Sequence, residues 1–184
     1  MADAQVRVQK QGFLNPRVIA EASVMVALAV VLDAFRIFTL PQGGSITFGE
    51  MVPILLIALR RGPKVGIFAG MVFGIVDVYF EPFVYNPIQF LLDYPLAYGA
   101  LGLAGLFRGK STLYAGLGVA FAIGARFVSH FFSGLIFFAS YAPAGENPAL
   151  YSAIYNASYL LPGLLISEFA ILILAKGGAL KFRL

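Results

Sequence analysis

The sequence predicts an all-α integral membrane protein, with six spanning helices in one bundle. Three observations carry this. Of 184 residues, 60% are hydrophobic and only 12% charged, against about 25% charged in a soluble domain, and the mean hydropathy is +0.85. Apolar segments recur along the whole chain, separated by proline, glycine and charged clusters. Lysines and arginines collect in alternate connections, the pattern that a membrane's cytoplasmic face imposes.

The segments follow in order. Residues 1–16 form a polar tail with Arg7 and Lys10, and no cleavable signal peptide is evident. The first helix is expected over 17–35. Leu40-Pro41-Gln42-Gly43-Gly44-Ser45 breaks the chain, inside a loop of 36–46 that is long for a helix connection. The second helix, 48–59, starts at Thr47 and Glu50, a capping-box pattern that makes Glu50 a cap rather than a ligand. It is short for a span, which needs roughly 20 apolar residues. The third helix covers 65–80, the fourth 88–106, the fifth about 112–141 and the sixth about 149–175. Pro95 lacks the amide that would bond to Leu91, so the fourth helix should kink and free a carbonyl near Asp93. The whole of 1–184 reads as one membrane domain.

Orientation follows from charge. With both termini cytoplasmic, Arg7, Lys10, Arg17, Arg60, Arg61, Lys64, Arg108, Lys110, Lys176, Lys181 and Arg183 lie inside. The outer loops keep only Arg36, and Arg126 falls within the membrane. The net charge of +4 is thus a topology signal, and no nucleic-acid partner is implied. Cysteine is absent and histidine occurs once, so thiolate chemistry and a histidine-rich metal site are excluded.

This orientation brings the costly polar residues to one depth. Arg126 and His130 of the fifth helix, Asp93 and Tyr94 of the fourth, Asp77 at the end of the third, and Tyr151 and Asn156 of the sixth all fall in the outer half. Tyr85 and Asn86 lie in the adjoining outer linker. Arg126, His130, Gly134 and Phe138 are spaced by four and share one helix face, with Gly134 leaving room for a flat object. A carboxylate, a histidine and several aromatics suit a cationic aromatic ring, held by charge and by ring faces. Simpler readings stand beside this one. Arg126 could only pair with Asp77 or Asp93, His130 could only donate between helices, the tyrosines could mark the membrane interface, and Asp33 and Asp77 could reach water. Glu168 has no evident role. No hydrolase, zinc or phosphate-loop motif is present, so an enzyme is not expected, although an intramembrane enzyme using Asp93 and His130 is the alternative from another class.

Thr47-Phe48-Gly49 before Arg60-Arg61-Gly62, Asp93-Tyr94, His130 with Gly134, and Tyr141-Ala142-Pro143 leading to Tyr151 and Asn156 resemble the thiamine-specific substrate-binding (S) component of energy-coupling factor (ECF) vitamin transporters. The resemblance covers nearly the whole chain. It implies a multi-pass protein of a prokaryotic plasma membrane that captures thiamine, or a close analogue, at its outer face and hydrolyses nothing. A transmembrane coupling protein and two cytoplasmic ATPases would be its partners; ATP would be used there, and this chain would hold no cofactor or metal. His130 would stack on the pyrimidine, Tyr151 and Asn156 would hydrogen-bond it, and Asp93 would pair with the thiazolium. Tyr94, Tyr85 and Arg126 would line the site, Phe138 and Phe73 would stand where the family has tryptophans, and 36–46 would be the lid. Ser23 and Ala27 would belong to the coupling face. An S component for another small heteroaromatic vitamin or precursor is the nearer alternative.

Overall fold

The computed structural model describes residues 15–80, 82–109 and 111–180. Most of the tail 1–16 therefore lies outside the described residues, as do Lys110, Lys181 and Arg183.

Among the described residues the chain forms six helices. Helix α1 (Pro16–Asp33) is capped by the Asn15 side chain, which accepts from the Arg17 amide at 2.9 Å, with Pro16 in the first turn. Residues 36–46, expected as an irregular loop, instead build an antiparallel hairpin of β1 (Arg36–Thr39) and β2 (Ser45–Thr47). Its turn closes through Leu40 N–H to Gly44 O (2.7 Å) and Gly43 N–H to Leu40 O (3.1 Å), with Gly43 at φ +86°. Helix α2 (Met51–Arg61) is the most enclosed element, buried from Pro53 to Leu59, and stops at Gly62, whose φ is +93°. One residue later α3 (Pro63–Phe80) begins.

The fourth helix, α4 (Pro87–Phe107), is continuous but uneven. Its middle, Leu92–Leu96, widens into a π-turn around Pro95, and its last part, Leu101–Phe107, tightens to 3-10 geometry. A π-turn admits a proline where a regular turn would be broken. Helices α5 (Thr112–Phe137) and α6 (Pro148–Lys176) complete the bundle. Residues Ala139–Tyr141, expected as the end of α5, are a separate 3-10 turn.

Among the described residues four helices, α3 to α6, are long and apolar enough to cross a membrane by themselves. Helix α1 has 18 residues but includes Arg17, Glu21 and Asp33, and the 11 residues of α2 rise only about 16 Å. Both are sustained by neighbours. Where α2 ends, Glu21 forms ion pairs with Arg60 at 2.9 Å and with Arg61 at 2.5 Å, tying α1 to the end of α2. Helices α3 and α4 approach along Gly66, Gly70 and Gly74. A Cβ at Gly70 would stand 2.1 Å from Tyr98 O, and one at Gly74 2.5 Å from Tyr94 O. This glycine row allows backbone contact and fixes how α4 is rotated, hence where Asp93, Tyr94 and Tyr98 project.

Candidate ligand cavity

A cavity of about 350 Å³ lies between the hairpin, the hairpin-side halves of α3 to α6 and the end of α1. The wide turn at Pro95 aims its α4 wall. It presents Asp93 to α5, while Tyr94 turns inward, with its hydroxyl accepting the Phe83 amide at 3.1 Å. The carbonyl recruited at the distortion is that of Leu92, which accepts from Ser129 Oγ at 2.6 Å.

Asp93 is the hub of the α4–α5 wall. Its Oδ1 meets His130 Nδ1 at 3.0 Å, and its Oδ2 accepts from Gln89 Nε2 and Ser133 Oγ, both at 2.7 Å. Gln89 also holds the outer linker, donating to Phe83 O and accepting from Tyr85 N–H, each at 3.0 Å. Arg126 is 5% exposed. Its Nε donates to His130 Nε2 at 3.3 Å and its guanidinium lies 3.9 Å over the Tyr98 ring. Its Nη1 stands 3.6 Å from Glu50 Oε1. The expected partners of Arg126, Asp77 and Asp93, are therefore not its ion-pair partners; Glu50 is. Glu50 itself departs from the capping box. Thr47 Oγ1 accepts the Gly49 and Glu50 amides, both at 3.3 Å, and the Thr47 hydroxyl bonds the Glu50 carboxylate. That carboxylate faces Arg126 and caps no helix amide. Asp33 and Asp77 are buried rather than wet. Asp33 pairs with Arg36 at 2.7 Å, and Asp77 lines the same cavity beside Tyr98.

The α6 wall is a ladder of tyrosines at Tyr151, Tyr155 and Tyr159. Neighbouring rings lie 6.2 Å and 5.9 Å apart. The Tyr155 hydroxyl accepts the Gly44 amide at 3.1 Å, joining α6 to the hairpin tip. The Tyr159 hydroxyl donates to Asn156 Oδ1 at 2.7 Å, while Asn156 Nδ2 donates to Ser152 O at 2.9 Å. At the outer end Phe138 stacks on Phe83 at 5.7 Å.

Of the residues singled out from the sequence, Asp93, Tyr94, Arg126, His130, Gly134, Phe138, Tyr151 and Asn156 line this cavity, and so does the hairpin tip from Thr39 to Ser45. Two do not. Phe73 is fully buried behind the wall, edge-on to Tyr98 at 4.6 Å, because the α3–α4 glycine contact turns it into the core. Tyr85 is 64% exposed; its hydroxyl pairs with that of Tyr141 at 3.2 Å and its ring backs Phe138. Gly134 has a different reason from the one expected. A Cβ there would lie 2.2 Å from Ser152 Oγ, so the glycine lets α5 meet α6. Ser23 and Ala27 are both exposed on α1, on a surface that includes Val24 and Val31. Tyr98, Tyr159 and Gln89 were missed, Tyr155 was read only as an interface aromatic, and Ser133 only as part of the enzyme alternative. The four-residue spacing that marks the α5 face also runs through Tyr151, Tyr155 and Tyr159, and could have found the ladder.

At formal charge, the carboxylates of Asp33, Asp77, Asp93 and, behind Arg126, Glu50 outnumber the guanidiniums of Arg36 and Arg126. The cavity is therefore suited to a cation, and its tyrosine and phenylalanine walls to a flat one.

Comparison with known proteins agrees. Residues 19–182 match the family model described as Thiamine transporter protein (Thia_YuaJ). The chain is 36% identical to the thiamine transporter ThiT of Bacillus subtilis over 169 residues, covering 84% of this chain and 88% of that protein. It is 33% identical to ThiT of Lacticaseibacillus paracasei over 160 residues, covering 78% and 79%. A solved structure of ThiT from Listeria monocytogenes superposes with a TM-score of 0.79 at 26% identity, covering 88% of this chain and 94% of that one. A multi-pass fold with an acid-rich aromatic cavity, matched over nearly its whole length, places the chain in the thiamine transporter protein family.

Proposed function

We propose that this chain is the S component of an ECF transporter, capturing thiamine from outside in the cavity described above. The observation that carries the reading is Asp93. It is a carboxylate with three donors at 2.7–3.0 Å, set in a cavity walled by tyrosines and Phe138. Thiamine is a fixed cation joined to an aminopyrimidine, so it asks for a permanent negative charge beside aromatic faces. A carboxylate offers about four acceptor positions; three are used here, which leaves one lone pair and the net charge for the thiazolium. Tyr151, whose hydroxyl bonds no other described residue, is free to hydrogen-bond the pyrimidine, while the His130 and Tyr159 rings bound the cavity beside it. Asn156 acts through its brace on Tyr159 as much as directly.

The family is one of transporters rather than enzymes. Energy would come from partners: a transmembrane coupling protein and two cytoplasmic ATPases, with ATP spent there. The exposed small residues Ser23 and Ala27 supply a face for close helix approach. The test is calorimetric titration of the purified chain, which has no tryptophan to serve as a fluorescent probe. Saturable binding of thiamine, with the vitamin recovered unchanged, is expected. Binding of another heteroaromatic vitamin in its place would retire the substrate assignment, and chemical conversion would retire the transporter reading of the cavity.

A further inference from the structure

An arginine at the heart of a cation site is a paradox, since its charge opposes the ligand's. The contacts of His130 resolve it. Arginine carries five N–H donors and no acceptor. At 3.3 Å from Arg126 Nε, His130 Nε2 can therefore only accept, and it bears no proton. The single proton of the neutral ring is then on Nδ1, where Asp93 Oδ1 accepts it at 3.0 Å. The two contacts impose the same tautomer from opposite sides. The remaining neighbours do not compete: Tyr159 of α6 meets the ring edge-to-face at 6.0 Å, and Glu50 of α2 reaches it only through Arg126.

We infer that Arg126 is a positioning residue for thiamine binding, holding His130 as the uncharged Nδ1–H tautomer so that Asp93 keeps its full negative charge for the cation. Glu50 and Tyr98 are the supports of Arg126. The first offsets its charge across 3.6 Å and the second carries its guanidinium at 3.9 Å. A doubly protonated His130 would set an N–H against the guanidinium and would neutralise Asp93 within the wall. The cavity would then offer a thiazolium a closed ion pair instead of a free charge. The inference rests on the thiamine reading of the cavity, but its first readout does not.

The chain has one histidine, so selective isotope labelling of histidine reports a single imidazole by nitrogen NMR. The detergent-solubilised full chain should show protonated Nδ1 and bare Nε2, both before and after thiamine is added. Arg126→Met removes every donor facing Nε2 and should let that nitrogen take up a proton, giving a doubly protonated ring beside Asp93. It should also weaken thiamine binding at least about tenfold, the cost of disturbing one charge-assisted contact. Arg126→Lys, which keeps a donor, should restore the Nδ1–H signature and most of the affinity. Glu50→Gln is the milder second variant and should blur the tautomer without abolishing the fold. A wild-type spectrum with Nε2 protonated would overturn the inference whether or not thiamine binds. So would an unchanged spectrum in Arg126→Met. A correct tautomer in a protein that ignores thiamine would instead remove the substrate reading and the purpose assigned to Arg126, leaving only the proton's location.

Discussion

Replacing Asp93 by asparagine separates charge from shape at the centre of the site. The side chain keeps its size but loses its net charge and half of its acceptors. In the wild type every partner of Asp93 is a donor: His130 Nδ1 at 3.0 Å, Gln89 Nε2 at 2.7 Å and Ser133 Oγ at 2.7 Å. An asparagine can turn its oxygen to Gln89 and Ser133, and its amide then faces the His130 N–H, donor against donor. The unmet donor costs about 1–3 kcal/mol of fold stability, shared by the free and bound states. The ligand loses more. A thiazolium about 4 Å from a unit charge gains up to about 4 kcal/mol at an effective dielectric of 20, so thiamine affinity should fall by roughly 100- to 1,000-fold. Isothermal titration of wild type and variant with thiamine measures this, and the uncharged aminopyrimidine half of the vitamin is the control. Its affinity should move by less than about tenfold, because it carries no fixed charge. A thiamine loss smaller than about threefold, which is near the scatter of such comparisons, would refute the pairing of Asp93 with the cation. An equal loss for the neutral half would do the same, since the effect would then be structural.

Gly134→Ala should destabilise the protein by about 1–3 kcal/mol through overpacking against Ser152, read as a lower thermal midpoint in detergent; an unchanged midpoint would mean that α5 and α6 do not meet there. Phe138→Trp enlarges the ring face at the cavity's outer end and should tighten thiamine binding by about 0.5–1 kcal/mol, visible as a slower dissociation rate; no gain would argue that Phe138 does not touch the cationic ring. Ala27→Trp, on the exposed face of α1, should leave thiamine binding intact while abolishing uptake by the reconstituted complex, and loss of binding would show instead that the residue serves the fold.

Much of the cavity was legible because depth and periodicity are written locally. Arg126, His130, Gly134 and Phe138 recur every four residues in one apolar segment, and charge bias assigns that segment an outer end. Pro95 likewise announced an irregular turn, although not that the turn would be of the π type. The failures share a cause in rotation and distance. Whether Phe73 faces the ligand or the core depends on how α3 rolls against α4, and that is set by Gly66, Gly70 and Gly74 meeting another helix. Glu50 looked like a cap because Thr47 is its near neighbour; Arg126, its ion-pair partner, is far away in sequence. The hairpin was hidden because its strands span only four and three residues, too few for alternation to rise above chance.

The hairpin tip has a kinetic consequence. Its described hydrogen bond outside the hairpin is to one atom, the Tyr155 hydroxyl, which accepts from the Gly44 amide. One ordinary hydrogen bond is worth about 1 kcal/mol, so this attachment alone would leave the door ajar roughly 15% of the time. Entry then needs no energy from the ligand, and an empty protein samples the outside continually. How long a captured cation stays is set by what it touches inside, chiefly Asp93 and the rings around it. A variant that loosened the tip, such as Tyr155→Phe, would hasten arrival and departure together and leave the equilibrium almost where it was.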